Sequence, residues 1–117
     1  MTIVPIPHKL PVIKIEAYCN DVVNMAHYFR RVYENIIEMN AIDVNPRYVT
    51  LSDFYVKSIH KYISSPKTPP KKGVYKISFP LHIAVHLLYI KTDELNVIRG
   101  KIHQAMINLN HKTMSEL

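Results

Sequence analysis

Hydrophobic and polar residues alternate along the segment VIKIEAY, residues 12–18. Ile13, Ile15 and Ala17 fall on one side, and Lys14 and Glu16 fall on the other. Successive side chains of a β-strand point to opposite faces of the sheet, so this pattern predicts a strand buried on one face only. Before this strand, the prolines of residues 1–11 predict an extended arm, because each proline removes a backbone donor and fixes φ.

The segment that follows, residues 19–39, allows two interpretations. Residues 19–21 (CND) are typical of a turn, after which residues 22–25 would return as the second strand of a hairpin. Residues 21–39 would equally form one long helix capped by Asn20. Its helical stripe consists of Phe29, Val32, Tyr33, Ile36 and Ile37.

Residues 40–64 predict a short strand and a helix. Residues 40–45 have room for a third strand, which Pro46 would end. Thr50 or Ser52 is the predicted cap of a helix that extends to about residue 64. The loop that follows, SSPKTPPKKG at residues 64–73, is rich in proline and has no apolar residue to bury.

The last third of the chain predicts two helices. Residues 79–80 (FP) open the first, which is apolar almost all round and extends to about Ile90. Thr92 is the predicted cap of the second, with Asp93 and Glu94 in its first turn. The apolar seam of this last helix consists of Leu95, Ile98, Ile102, Ala105 and Leu109.

Length and composition indicate a single globular domain. The strand pattern at residues 12–18, set against the helical patterns after residue 50, predicts a mixed α/β (α+β) class with a small N-terminal sheet and a helical C-terminal half. The chain has 117 residues, of which 48% are hydrophobic, and a single cysteine. No apolar run approaches the ~20 residues that span a bilayer, and residues 1–11 lack the apolar core of a signal peptide. We therefore expect a cytoplasmic or nuclear protein without a membrane partner.

The residues that carry chemistry form no recognisable catalytic pattern. His82 and His86 have the i, i+4 spacing of metal ligands, but no third ligand lies near them in the sequence. The two glycines of the chain are too few for a phosphate-binding loop. We therefore expect a non-enzymatic protein without metal or cofactor. Thr68, followed by Pro-Pro-Lys, is a candidate site for a proline-directed kinase.

Three blocks of the sequence are similar to the BTB/POZ fold as used by elongin C and the Skp adaptors. VIKIEAYCNDVVNM (12–25) resembles the opening hairpin of that family. IDVNPRYVTLSDFYVKSIHKYI (42–63) resembles its central strand and helix. FPLHIAVHLLYIKTDELNVIRGKIHQAMI (79–107) resembles its Leu-Leu-x-Ala-Ala-x-Tyr-Leu helix and the Skp-type continuation. The resemblance implies a hairpin over residues 12–26, a BTB/POZ-like domain over 12–110 and a C-terminal tail over 111–117.

The resemblance also implies a function. Family members bridge a cullin scaffold to a receptor that carries a short helical box, within ubiquitin ligases. By this analogy, the scaffold side would use Tyr48, Phe54 and Tyr55. A receptor helix would dock on the C-terminal helices through apolar anchors, here Leu87, Tyr89, Ile90, Leu95 and Ile98; the alternative is that these five residues are core.

The net charge of +6 leaves two other functions open. A BTB-like module with this charge would suit chromatin or nucleic acid, because a basic balance favours acidic partners. A homodimeric, structural BTB domain is the remaining alternative.

Overall fold

The computed structural model describes residues 10–39, 43–64 and 73–115, with side chains described as far as residue 109. These residues form a mixed α/β fold with a two-stranded antiparallel sheet. In chain order the elements are β1 (Val12–Tyr18), α1 (Cys19–Glu38), α2 (Pro46–Phe54), a π turn (Tyr55–Ile59), α3 (Lys61–Ser64), β2 (Val74–Pro80), α4 (Leu81–Leu88), a 3-10 turn (Asp93–Leu95) and α5 (Asn96–Ser115).

The sheet joins two segments that are distant in the sequence. β1 pairs with β2 in a register that places Ile13 opposite Phe79 and Ile15 opposite Ile77. These four side chains are buried on one face, while the other face carries a cross-strand pair of Lys76 with Glu16. The predicted half-buried strand over residues 12–18 is therefore confirmed. Its partner is β2 and not the residues that follow it directly.

The predicted hairpin over residues 12–26 is wrong. Helix α1 begins at Cys19, immediately after β1, and continues without interruption to Glu38. Val22, Met25 and Phe29 are fully buried at spacings of three and four, so the helical stripe extends through the segment that the hairpin would have used. The alternative of one long helix is the correct interpretation, although its N-cap is Tyr18 and not Asn20.

Helix α2 begins five to seven residues earlier than predicted. Asn45 is the N-cap, and its side-chain oxygen accepts a hydrogen bond of 2.9 Å from the backbone N–H of Arg47. Pro46 opens the helix at a position where its missing N–H costs nothing. Thr50 and Ser52 are interior residues of α2, so neither is the cap. Residues 43–45 are not in a strand, and the remainder of the predicted third strand lies outside the described residues.

Helix α4 follows β2 directly. Phe79 and Pro80 are the last residues of the strand, so the predicted helix begins two residues later, at Leu81. Arg99 of α5 donates to the carbonyl oxygen of Leu88 through Nε at 3.3 Å and Nη2 at 2.9 Å, which ties the C-terminus of α4 to α5. Thr92 occupies the predicted N-cap position, but its side chain makes no capping hydrogen bond.

The core lies between α1, the inner face of the sheet and the C-terminal helices. Three phenylalanine rings connect these layers: Phe54 lies 6.1 Å from Phe29 and 5.9 Å from Phe79, centroid to centroid. From the predicted C-terminal seam, Leu95, Ile98 and Ile102 are fully buried, and Ala105 and Leu109 are partly buried. Among the described residues, no helix combines the length and apolar character that crossing a membrane requires.

Candidate functional site

Four of the five residues predicted to receive a partner helix belong to the core. Leu87, Leu95 and Ile98 have no exposed surface, and Ile90 is buried as well. Tyr89 is 71% exposed at the C-terminal end of α4. In this conformation the C-terminal helices therefore offer a partner one of the five predicted anchors.

The residues predicted to face a scaffold divide in the same way. Phe54 and Tyr55 are buried, whereas Tyr48, in the first turn of α2, is 40% exposed. Tyr48 lies on a groove that sequence reasoning did not single out. Thr68, the candidate phosphorylation site, lies outside the described residues.

The last turns of α1 and the first turn of α2 form a groove of about 260 Å³, called here the α1–α2 groove. The helical stripe of α1 continues past the sheet-covered core, and α2 packs beside it. This arrangement leaves the end of the stripe only partly covered. The apolar part of the lining consists of Tyr28, Val32, Ile36, Met39 and Tyr48.

Two side chains of the α1–α2 groove are both apolar in character and exposed: Met39 is 51% exposed and Tyr48 is 40% exposed. Scattered exposed apolar residues are normal on a protein surface, but a contiguous group commonly marks an interaction site. The sequence signal was present in the stripe residue Ile36, which lines the groove and is only partly buried.

Two arginines define the charge of the α1–α2 groove. Arg31 lines it and is ion-paired with Glu94. Burial raises the pKa of Tyr28, and Arg47 lies close enough to offset a small part of that rise. Arg47 makes no ion pair with any residue in the described part of the chain, so its charge is available to a partner.

His86 lies on α4 within the electrostatic reach of Arg47. Burial lowers the pKa of His86, and the positive charges of Arg47 and His82 lower it further. A neutral imidazole is therefore favoured in the folded protein. Within the described ranges, no group of three or more His, Cys, Asp or Glu side chains is arranged to hold a metal ion.

The lowered pKa of His86 predicts a loss of stability at acidic pH. The folded protein binds a proton at His86 less readily than the unfolded chain does. Neutral His86 therefore contributes to the free energy of unfolding, and this contribution is fully present above the ordinary pKa of 6.5. It is lost as the pH falls from there through the folded pKa. Urea unfolding at about pH 7.5 and about pH 5.5 measures this loss.

We expect His86→Gln to lose less stability between the two pH values than the parent protein. The matched control is His103→Gln, at an exposed position on α5, which should lose as much as the parent.

These observations describe a surface suited to binding. The α1–α2 groove combines apolar walls with one ion-paired and one available arginine. Comparison of the chain with protein-family models, with curated proteins and with solved structures finds no match. The BTB/POZ family assignment therefore stays a prediction.

Proposed function

We propose that this protein is a non-catalytic protein-interaction module whose α1–α2 groove accepts an amphipathic helix of a partner protein. The observation that carries the proposal is the continuous, partly exposed apolar surface of Ile36, Met39 and Tyr48 at the end of α1 and the start of α2. Burying such a surface against a partner is favourable by about 25 cal/mol for each Å² of apolar area.

The size of the α1–α2 groove favours a side-chain anchor over a free small molecule. Sites for drug-sized ligands usually measure about 300–1,000 Å³ and enclose most of the ligand. The groove, at about 260 Å³, is smaller. A helix that presents apolar residues at i, i+3 and i+4 would insert one or two of them between Tyr28, Ile36 and Tyr48.

Charge defines the chemistry of the partner further. Arg47 is an available cation beside the α1–α2 groove, and the whole chain carries a net charge of +6. An acidic residue on the partner helix would pair with Arg47 and would also be attracted over a longer range. The proposed partner is therefore a helix with an apolar face and an acidic flank.

The finer proposal, an elongin C/Skp-like adaptor that links a cullin-type scaffold to a helical box in a ubiquitin ligase, rests on the sequence resemblance alone. The first block lost its support when residues 19–25 proved to be helical. Helix docking is common to the finer proposal and to the general one. The docking surface proposed now is the α1–α2 groove and not the C-terminal helices.

A single charge in the α1–α2 groove should abolish this binding. A displayed library of helical peptides, selected on the protein, is expected to yield peptides with spaced apolar residues and an acidic flank. Met39→Asp should lower the affinity for the selected peptides about 30-fold or more, because anchor residues at the centre of an interface contribute about 2 kcal/mol or more to the binding free energy. Arg47→Ala should weaken peptides with an acidic flank more than neutral ones. Fluorescence anisotropy measures both effects.

The matched control is Val12→Asp, since Val12 on β1 and Met39 are both 51% exposed. Both variants should remain folded by circular dichroism, and only Met39→Asp should lose the peptides. If the peptides bind Met39→Asp as tightly as the parent but do not bind Tyr89→Asp, the docking site lies on the C-terminal helices. A dimer in sedimentation that Met39→Asp dissociates would show that the groove binds a second copy of the chain.

A further inference from the structure

A second cavity lies beside the π turn, on the side of α1 that carries Arg30 and Tyr33. It measures about 550 Å³ and is called here the π-turn pocket. The turn exists because the backbone N–H of His60 bonds to the carbonyl oxygen of Tyr55, five residues earlier, at 2.8 Å. Such turns are rare and recur at functional sites. Here the turn places Tyr55 and His60 together on one wall.

Aromatic rings form much of the π-turn pocket. The ring of Tyr55 lies 5.5 Å from that of Tyr33 and 5.5 Å from the imidazole of His60, which it meets edge to face. Tyr55 is buried and holds the arrangement in place, whereas Tyr33 is half-buried and His60 is exposed. Tyr33 and His60 therefore offer ring surface to a planar ligand.

The polar groups of the π-turn pocket offer both a donor and an acceptor. Arg30 Nε donates to Glu34 Oε1 at 2.9 Å, and both side chains are more than half exposed. Exposed pairs of this kind hold together weakly, so a ligand can compete for either partner. The Tyr55 hydroxyl makes no hydrogen bond within the described part of the chain, and burial raises its pKa, which keeps it a neutral donor.

We propose that the π-turn pocket binds a nucleobase that carries an exocyclic amino group, as part of a nucleotide. The base would stack on Tyr33 and His60. The Glu34 carboxylate would accept from its amino group, and Arg30 would donate to a ring nitrogen or carbonyl oxygen of the base. This site is separate from the α1–α2 groove, and the inference does not depend on the proposed function.

Three physical arguments support this ligand. Aromatic side chains stack on bases, and guanidinium and carboxylate groups read the acceptors and amino groups of base edges. The pocket volume of about 550 Å³ is in the usual range of about 300–1,000 Å³ for ligand sites. The net charge of +6 attracts the phosphate of a nucleotide, whether the nucleotide is free or part of a single strand.

Calorimetric titration of the whole protein with GMP, AMP, CMP and UMP tests the inference. We expect the three amino-bearing nucleotides to bind about tenfold more tightly than UMP, which has no exocyclic amine. In Glu34→Ala the dissociation constants of the four nucleotides should lie within about twofold of one another, because the acceptor for the amino group has been removed. His60→Ala should weaken all that bind by about 5- to 150-fold, the range found when a stacking side chain is removed.

Several controls make the outcome decisive. His60 and Glu34 are exposed, so their variants should stay folded, and Met39→Asp in the α1–α2 groove should leave nucleotide binding unchanged. Single-stranded oligonucleotides are compared with the mononucleotides in the same titration. If they bind over tenfold more tightly, and if His60→Ala removes this difference in affinity, nucleic acid is the source of the base. Equal affinities would identify a free nucleotide. No binding at about 5 mM nucleotide, or binding that neither His60→Ala nor Glu34→Ala changes, would overturn the inference.

Discussion

Replacing Ile98 with aspartate is expected to unfold the protein. Ile98 has no exposed surface, so the new carboxylate would be buried in the seam of α5 without a described partner. Burying an unpaired charge costs several kcal/mol, which is comparable to the roughly 5–15 kcal/mol that keeps a small domain folded. Circular dichroism should show the loss of helical signal at about 25 °C, or a melting temperature lowered by more than about 10 °C.

Tyr89→Asp is the matched control for this experiment. Tyr89 belongs to the same predicted docking set but is 71% exposed, so a charge there should leave the fold intact. If Ile98→Asp stayed folded, the C-terminal helices could not be packed around the side chain at this position. The docking surface predicted from the resemblance would then be open to a partner.

The C-terminal docking prediction depended on an estimate of how much apolar surface the sheet could cover. Three residues of the predicted C-terminal seam, Leu95, Ile98 and Ile102, are fully buried, and Ala105 and Leu109 are partly buried. The sequence does not show that α1 packs against the 3-10 turn and α5, so that Leu95 is covered by a second helix. Coverage by a distant element is a tertiary property, and the pattern of one helix cannot supply it.

The sheet shows a similar division between local and distant information. Residues 74–80 (VYKISFP) alternate Tyr75, Ile77 and Phe79 with Lys76 and Ser78, so this strand, although it was not predicted, was recognisable in the sequence. Its partner was not, because β1 pairs across a connection that includes three helices. The resemblance favoured a local hairpin, whereas residues 19–25 carry a helical spacing that continues into Phe29.

The two candidate sites differ in how far the sequence could have predicted them. The predicted apolar stripe of α1 includes Val32 and Ile36, which line the α1–α2 groove. The π-turn pocket depends on an i, i+5 hydrogen bond between Tyr55 and His60, for which the sequence gives no established signal. One missing or added residue in this turn would rotate His60 away from Tyr55, since each helical residue turns the chain by about 100°.

Phe54→Ala is expected to destabilise the protein by about 3–5 kcal/mol, the usual cost of deleting a buried aromatic ring. The ring of Phe54 lies 6.1 Å from that of Phe29 on α1 and 5.9 Å from that of Phe79 on β2. Its removal would leave a cavity where helix and sheet meet, and both neighbouring rings would lose an aromatic contact. Urea unfolding should show a lower midpoint with an unchanged slope.

Two control variants separate this core role from the scaffold-binding role that the resemblance implied for Phe54. Phe54→Leu keeps an apolar side chain in the space and should recover much of the lost stability. Tyr48→Ala changes a residue of the same predicted set that is 40% exposed, so it should alter stability far less than Phe54→Ala does. If Phe54→Ala kept the stability of the parent, the ring could not be the contact that joins α1 to β2. It would instead be free to bind a partner, and α2 would have to pack in a different orientation.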